Sequence, residues 1–260
     1  MSNTKFSIIT QIKNYEIRIY EWMQYHLKEG FDTFIIFDDF SEDGTVDEIE
    51  RFKKDNDNCV VLIEQTDGLG STFNNEQLKN PELYGCDQSF LQRQMRSFSR
   101  GVKISYELNN NSICAILDGD EYLVSNSEKK ITEILEENFI DDIEQIYVFN
   151  FDVLDDYEYK KNITSQEKDY YRWKLSDVDN HPLWRTRCKS IIRCLNYQNY
   201  PVISMHHYYD PKYAKNFEFR DYENLRLHHY RKPNLPSNGS IGYEIDNIIK
   251  NKMKKYNIDV

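Results

Sequence analysis

The first 64 residues alternate between two hydrophobic periods. Phe6 to Ile12 (FSIITQI), Thr33 to Phe37 (TFIIF) and Cys59 to Ile63 (CVVLI) are short, continuous, β-branched apolar runs, which predict buried strands. Between the first two, Ile17, Tyr20, Trp22, Met23 and Leu27 recur at helical spacing over Tyr15 to Lys28, with Gly30 as a stop; Val46 to Lys54 is a second helix. The order β-α-β-α-β predicts an α/β protein on a parallel sheet of doubly wound type. Ligands of such sheets sit beyond the carboxyl ends of the strands. That places Lys13-Asn14 and Asp38 to Ser41 on one rim.

Residues 65–85 read as a loop, and Cys86 to Leu108 as a long helix carrying Gln88, Gln92, Arg93 and Arg96. Ser112 to Leu117 is a strand that runs directly into Asp118-Gly119-Asp120-Glu121-Tyr122-Leu123. A helix over Glu128 to Glu137 and a strand over Gln145 to Phe151 follow. Residues 152–180 are polar and Tyr-rich and show no usable period. Strands are expected over Arg187 to Leu195 and Val202 to Met205, and a basic helix over Tyr243 to Tyr256. No internal repeat or linker interrupts the chain, so residues 1–260 are expected to form a single domain.

Composition narrows the function classes. A net charge of −11 disfavours nucleic acid and anionic membrane surfaces as partners. No run approaches about 18 apolar residues, the length a membrane-spanning helix needs, and Met1 to Phe6 has no secretory apolar core. Five cysteines (59, 86, 114, 188 and 194) without a CxxC suggest reduced thiols in a cytoplasmic protein. The sequons at Asn162 and Asn238 carry no weight without a secretory signal. Tyr and Phe are abundant, 20 and 14, which suits stacking surfaces and core packing equally.

The sharpest chemical feature is Asp118-Gly119-Asp120 at a strand end. Two carboxylates flanking a glycine can turn toward one point, and paired hard oxygens suit Mg2+ or Mn2+ with open positions for phosphate oxygens. The competing interpretation is a solvated turn. An EF-hand is excluded, because Leu123 and Lys129 stand where a Gly and a Glu are required. Asp38 and Asp39 can accept from a base or ribose, whereas Asp43 and Thr45 suit a helix cap. His228 and His229 are adjacent on a strand and must face opposite ways. His26 reads as a core or surface residue and not a ligand, His181 as a loop residue, and His206 and His207 as loop or sugar-facing residues.

Together these segments resemble the glycosyltransferases of the GT-A fold, close to the family 2-like and family 92-like enzymes. The likeness runs through Lys13-Asn14-Tyr15-Glu16, Glu21 to Asp32, Phe37 to Thr45, Ile116 to Leu123, Lys189 to Arg193 and His228 to Arg231. It implies a Rossmann-like nucleotide-diphospho-sugar transferase fold with a mixed central sheet. Residues 1–123 would form the nucleotide-binding half, 124–235 the acceptor and metal half, and 236–260 a C-terminal helix. The resemblance implies a nucleotide-sugar donor, a UDP-sugar first, with Mn2+ or Mg2+ on its diphosphate and a carbohydrate or glycoconjugate acceptor. Asp118 would contact ribose or metal, Asp120 the metal, and His229 would complete the metal site. Lys13, Asn14, Asp38, Asp39, Arg93, Gly119 and Lys189 would line the donor. Related enzymes invert the anomeric carbon with a carboxylate base; Asp152 is the first candidate, with Asp177, Asp179 and Glu223 as rivals. Two other functions stay open. A sugar-phosphate nucleotidyltransferase would carry a Gly-rich basic loop where Lys13 to Glu16 stand. A non-catalytic carbohydrate-binding protein would not need both carboxylates and the late histidine.

Overall fold

The computed structural model describes residues 4–67, 88–154, 161–166, 169–174, 187–199, 206, 208–231 and 243–258. The expected βαβαβ start is present. β1 (Lys5–Ile12), α1 (Ile19–Lys28), β2 (Thr33–Asp38), α2 (Thr45–Asp55) and β3 (Val60–Gln65) lead to α3 (Gln88–Leu108) and β4 (Ser112–Ile116). β1 pairs in parallel with both β2 and β4, and β2 with β3, giving the order β3-β2-β1-β4. β2 and β4 are buried along their whole length and β1 over all but its first residue, because both faces of the sheet are covered. Ile8, Phe34 and Ile36 join Trp22 and Phe52 under α1 and α2. The intervening Ile9, Ile35 and Phe37 pack with Phe98 and Val102 of α3. The period-two alternation of strand side chains thus feeds two separate cores.

The second half mixes directions. β5 (Glu121–Val124), α4 (Ile131–Asn138), β6 (Gln145–Leu154), β7 (Tyr171–Trp173), β8 (Cys188–Arg193), β9 (Asn216–Phe219), β10 (Arg226–Arg231), β11 (Tyr243–Ile245) and α5 (Ile248–Lys255) complete the order. β8 runs antiparallel between β4 and β6. β10 lies between β6, parallel to it, and β5, antiparallel to it. The sheet is therefore mixed, as expected. The free edge of β5 is closed by α1: Trp22 Nε1 donates to the Glu121 carbonyl at 2.7 Å and the Tyr25 hydroxyl to the Leu123 carbonyl at 2.9 Å. Backbone groups two residues apart on an edge strand point the same way, and here side chains satisfy them in place of a neighbouring strand.

Several boundaries differ from the sequence expectation. α1 starts at Ile19 and not Tyr15: the Tyr15 N–H is held by the Thr45 hydroxyl at 2.6 Å, and Tyr15 to Arg18 forms a separate turn closed by the Arg18 N–H on the Tyr15 carbonyl at 3.0 Å. The expected helix Tyr243 to Tyr256 is split into β11 and α5. Asp246 causes the break: it turns inward onto Arg172 and Arg226, while its Oδ1 accepts from the Ile248 N–H at 3.0 Å and starts the helix. β7 lies in the stretch without a clear period, and β9 was not expected. Val202 to Met205, Asp177, Asp179, His181, His207, Cys86 and Asn238 lie outside the described residues. Gly30 does stop α1, at φ 103°, and a Cβ there would meet Thr132.

Candidate active site

The strand-end turn Leu117 to Asp120 is tied at both ends. Leu117 N–H continues the β1 ladder onto the Ile9 carbonyl, and Tyr230 N–H of β10 donates to the Asp120 carbonyl at 3.0 Å. Gly119 does not adopt a left-handed φ. It is required by proximity, since a Cβ there would lie 3.0 Å from the Tyr15 ring and 3.1 Å from Ile12.

The two acids of the turn take different partners. Asp120 Oδ2 lies 3.0 Å from His229 Nε2. Asp118 is held on both oxygens: Gln94 Nε2 donates to its Oδ1 at 2.8 Å and Lys189 Nζ to its Oδ2 at 2.6 Å. Lys189 reaches there because β8 runs antiparallel to β4, with Ile191 opposite Ala115, so Lys189 lies past the end of the paired stretch, level with the turn.

Glu121 sits beneath both acids, fully buried. It accepts from the Asp118 N–H at 2.9 Å and from Asn150 Nδ2 at 3.0 Å, and lies 3.2 Å from Lys189 Nζ. Burial raises its carboxyl pKa to about 7, against the opposing pull of Lys189. Burial alone would lower the Lys189 ammonium, but Asp118 and Glu121 override it and the value is raised. In His229 burial again works downward, and Asp120, helped by Glu121 and Asp152, raises the imidazole to about 9.

β10 brings His229 opposite Glu121 on one neighbour and opposite Asp152 on the other. Asp152 Oδ1 is 3.9 Å from His229 Nδ1, and Arg187 holds its Oδ2. Asp118, Asp120, Asp152, Lys189 and His229 are therefore brought together. As expected, His228 faces the other way. It accepts from Arg226 Nε at 2.9 Å and is held neutral, with a pKa lowered to about 3 by burial. His26 is a core residue, stacked on Tyr122.

The other expected residues form a second cluster on the same rim. Arg93 grips Asp39 bidentately, Nε to Oδ1 at 2.7 Å and Nη2 to Oδ2 at 2.9 Å, and the Thr66 hydroxyl adds a third donor. Burial raises the Asp39 carboxyl, yet Arg93 and Thr66 outweigh it and the net shift is downward. Asp38 accepts from the Ser41 N–H and from Gln65 Nε2. Asn14 donates its N–H to Ser41 Oγ at 2.9 Å and accepts from the Glu42 N–H at 2.9 Å. Lys13 is exposed beside these acids. α3 connects the two clusters through neighbours, Arg93 to Asp39 and Gln94 to Asp118.

Sequence reasoning passed over Gln94, Asn150, Arg187 and the role of Glu121. Glu121 alone carried a signal, its place directly after Asp120.

Asp120 and His229 fit a divalent ion: a hard carboxylate and an imidazole on adjacent strands, with side chains 11% and 16% exposed and so reachable from solvent. Among the described residues no group of three His, Cys, Asp or Glu side chains is placed to hold a metal. An ion here would draw its remaining ligands from substrate and water. No helix among the described residues is long and apolar enough to cross a membrane.

No family profile matches the chain, and no curated protein matches it in sequence. Solved structures do resemble it. The mannosyltransferase PcManGT from Pyrobaculum calidifontis, solved with GDP-Man and Mn2+, superposes with a TM-score of 0.50 at 8% identity, over 91% of this chain and 58% of that one. The fold is of the GT-A type. HddC from Yersinia pseudotuberculosis aligns over 97% of this chain and 98% of its own, at 12% identity and a TM-score of 0.41. Glucosyl-3-phosphoglycerate synthase from Mycobacterium tuberculosis, solved with Mg2+ and uridine diphosphate, aligns over 56% and 43%, at 10% identity and a TM-score of 0.34. The chain thus spans 58% and 43% of the lengths of the mannosyltransferase and the synthase.

Proposed function

We propose that this protein is a metal-assisted, inverting glycosyltransferase. It would move a sugar from a nucleotide-sugar, UDP-sugars being the first to test, to a hydroxyl of a glycan or glycoconjugate. The observation that carries this reading is the meeting of Asp120 and His229 on the strand-end rim of a GT-A fold. Two carboxylates facing a diphosphate each repel it by roughly 4 kcal/mol at ~4 Å and an effective dielectric of about 20. Asp118 meets that problem through Lys189, whereas at Asp120 the ion itself would supply the positive charge, His229 giving up its proton to ligate it. Asp120 and His229 would hold the ion, which when bound neutralises the diphosphate and stabilises the departing nucleoside diphosphate.

The remaining residues bind and orient. With both oxygens engaged, Asp118 is fixed in a pose suited to a ribose hydroxyl and not to the ion. Lys189 and Arg93 supply positive charge on the donor side. Glu121 and Asn150 lock the turn and the imidazole from below. Asp152 is the proposed base, its carboxylate held in orientation by Arg187; it would take the acceptor proton as the hydroxyl attacks.

A thermal-shift panel of nucleoside diphosphates and nucleotide-sugars, each with and without Mn2+, tests this reading. Ligand binding raises the melting temperature with the logarithm of ligand excess. Stabilisation by a nucleotide-sugar that needs the ion is the expected result. No stabilisation by any member of the panel overturns the proposal. Asp152→Asn should then abolish transfer while nucleotide affinity stays unchanged.

A further inference from the structure

Phe40 stands out on the rim because two features coincide in it. Its backbone is left-handed, at φ 59°, and its side chain is 49% exposed. A bulky aromatic residue is disfavoured in that region, which Asn and Gly tolerate. The surrounding loop enforces the conformation. Asp39 N–H donates to the Ile12 carbonyl at 2.8 Å, and Ser41 N–H donates back to the Asp38 carboxylate. Asn14, itself left-handed at φ 58°, laces the end of β1 to the same loop through Ser41 and Glu42. Strain held in place by its surroundings, with an apolar ring turned out to solvent, is the pattern of a functional position.

The neighbouring acids do not compete for that role. Asp38 and Asp39 are 5% and 2% exposed, and their carboxylate oxygens accept from Ser41, Gln65, Arg93 and Thr66. Phe40 is the aromatic residue that the loop turns outward, beside the exposed Glu42 and Asp43. β2 is two strands from β4, so the Phe40 loop and the Asp118–Asp120 turn stand about 10 Å apart across the rim. A ribose and its phosphates bridge such a gap.

We propose that Phe40 is the platform on which the nucleobase of the donor stacks, and that it supplies affinity common to all bases. This deepens the proposed function and rests on it. Stacking on a π-face is tolerant of base identity, so Phe40 sets how tightly a nucleotide is held and not which one.

The test compares UDP, GDP and inorganic pyrophosphate, each with Mn2+, by calorimetry on the full chain and on Phe40→Asn and Phe40→Trp. Wild type should bind both nucleoside diphosphates more tightly than pyrophosphate. Phe40→Asn should lose at least about fivefold in affinity for UDP and GDP alike, with pyrophosphate unchanged, and Phe40→Trp should retain it. The melting temperature of Phe40→Asn should hold or rise by a few degrees as the strain is relieved. If the nucleoside diphosphates keep their advantage in Phe40→Asn, the platform is disproved and the transferase reading survives. If Phe40→Asn melts well below wild type with affinity intact, Phe40 is a packing residue and the inference fails. If wild type binds no nucleoside diphosphate, the functional reading and this inference fall together.

Discussion

The imidazole of His229 lies 3.0 Å from the carboxylate of Asp120, although 109 positions separate them in the chain. The contact exists because β10 runs beside β5 with His229 opposite Glu121. As the ion-holding pair, these residues should fail together. Asp120→Asn and His229→Ala are each expected to weaken Mn2+-dependent binding of uridine diphosphate by at least about tenfold, with little further loss in the double variant. Calorimetry with and without chelator measures this, and full additivity of the two losses would count against a shared ion.

Lys189 is 1% exposed and neutralises Asp118 and Glu121 at once. Lys189→Met leaves the buried Glu121 without its counter-charge and should destabilise the fold by about 3–5 kcal/mol. Adding Glu121→Gln should recover part of the loss, because the uncompensated charge is then gone. Urea unfolding of the two single variants and the double variant yields the coupling energy; a value near zero would refute the pairing.

Gly119 leaves room for the Tyr15 ring and Ile12, which a Cβ would meet at 3.0 and 3.1 Å, inside van der Waals contact. Gly119→Ala is expected to cost about 1–3 kcal/mol by overpacking. In a Tyr15→Ala background the same change should cost clearly less. Equal costs in both backgrounds, read from denaturation midpoints, would show that the ring does not set the requirement for glycine.

His26 is buried among Trp22, Tyr25, Phe31 and Tyr122, and burial lowers its pKa to about 3. The unfolded chain takes up a proton near pH 6.5, whereas the folded chain resists until about pH 3. Stability contributed at this residue is therefore intact above 6.5 and lost progressively below it, by about 1.4 kcal/mol per pH unit. His26→Phe should flatten the decline in unfolding free energy between pH 6.5 and 5 by about 2 kcal/mol in total relative to wild type. Parallel curves for the two proteins would contradict this assignment.

Much of the frame was readable because the relevant signals are local. The runs at Phe6 to Ile12 and Thr33 to Phe37 specify buried parallel strands, and the period of α1 is visible in Trp22, Met23 and Leu27. The opposite facing of His228 and His229 follows from strand geometry alone. Illegible features depend on distant partners. Asp118 looks like an ion ligand in sequence, and only the β4–β8 register reveals Lys189 and, from α3, Gln94 on its two oxygens. Asp246 looks like one more helix residue until Arg172 and Arg226 claim it. β7, β9 and β11, of three or four residues each, are too short to display a period.

Arg93 and Gln94 occupy consecutive positions of α3 yet serve separate clusters. Successive helical side chains diverge by about 100°, so one rotational setting of the helix satisfies both and any other satisfies neither. Inserting or deleting a single residue ahead of this pair would cut the ties to Asp39 and Asp118 at one stroke. The helix behaves as an axle for the pocket, and its two sides can be assembled only together.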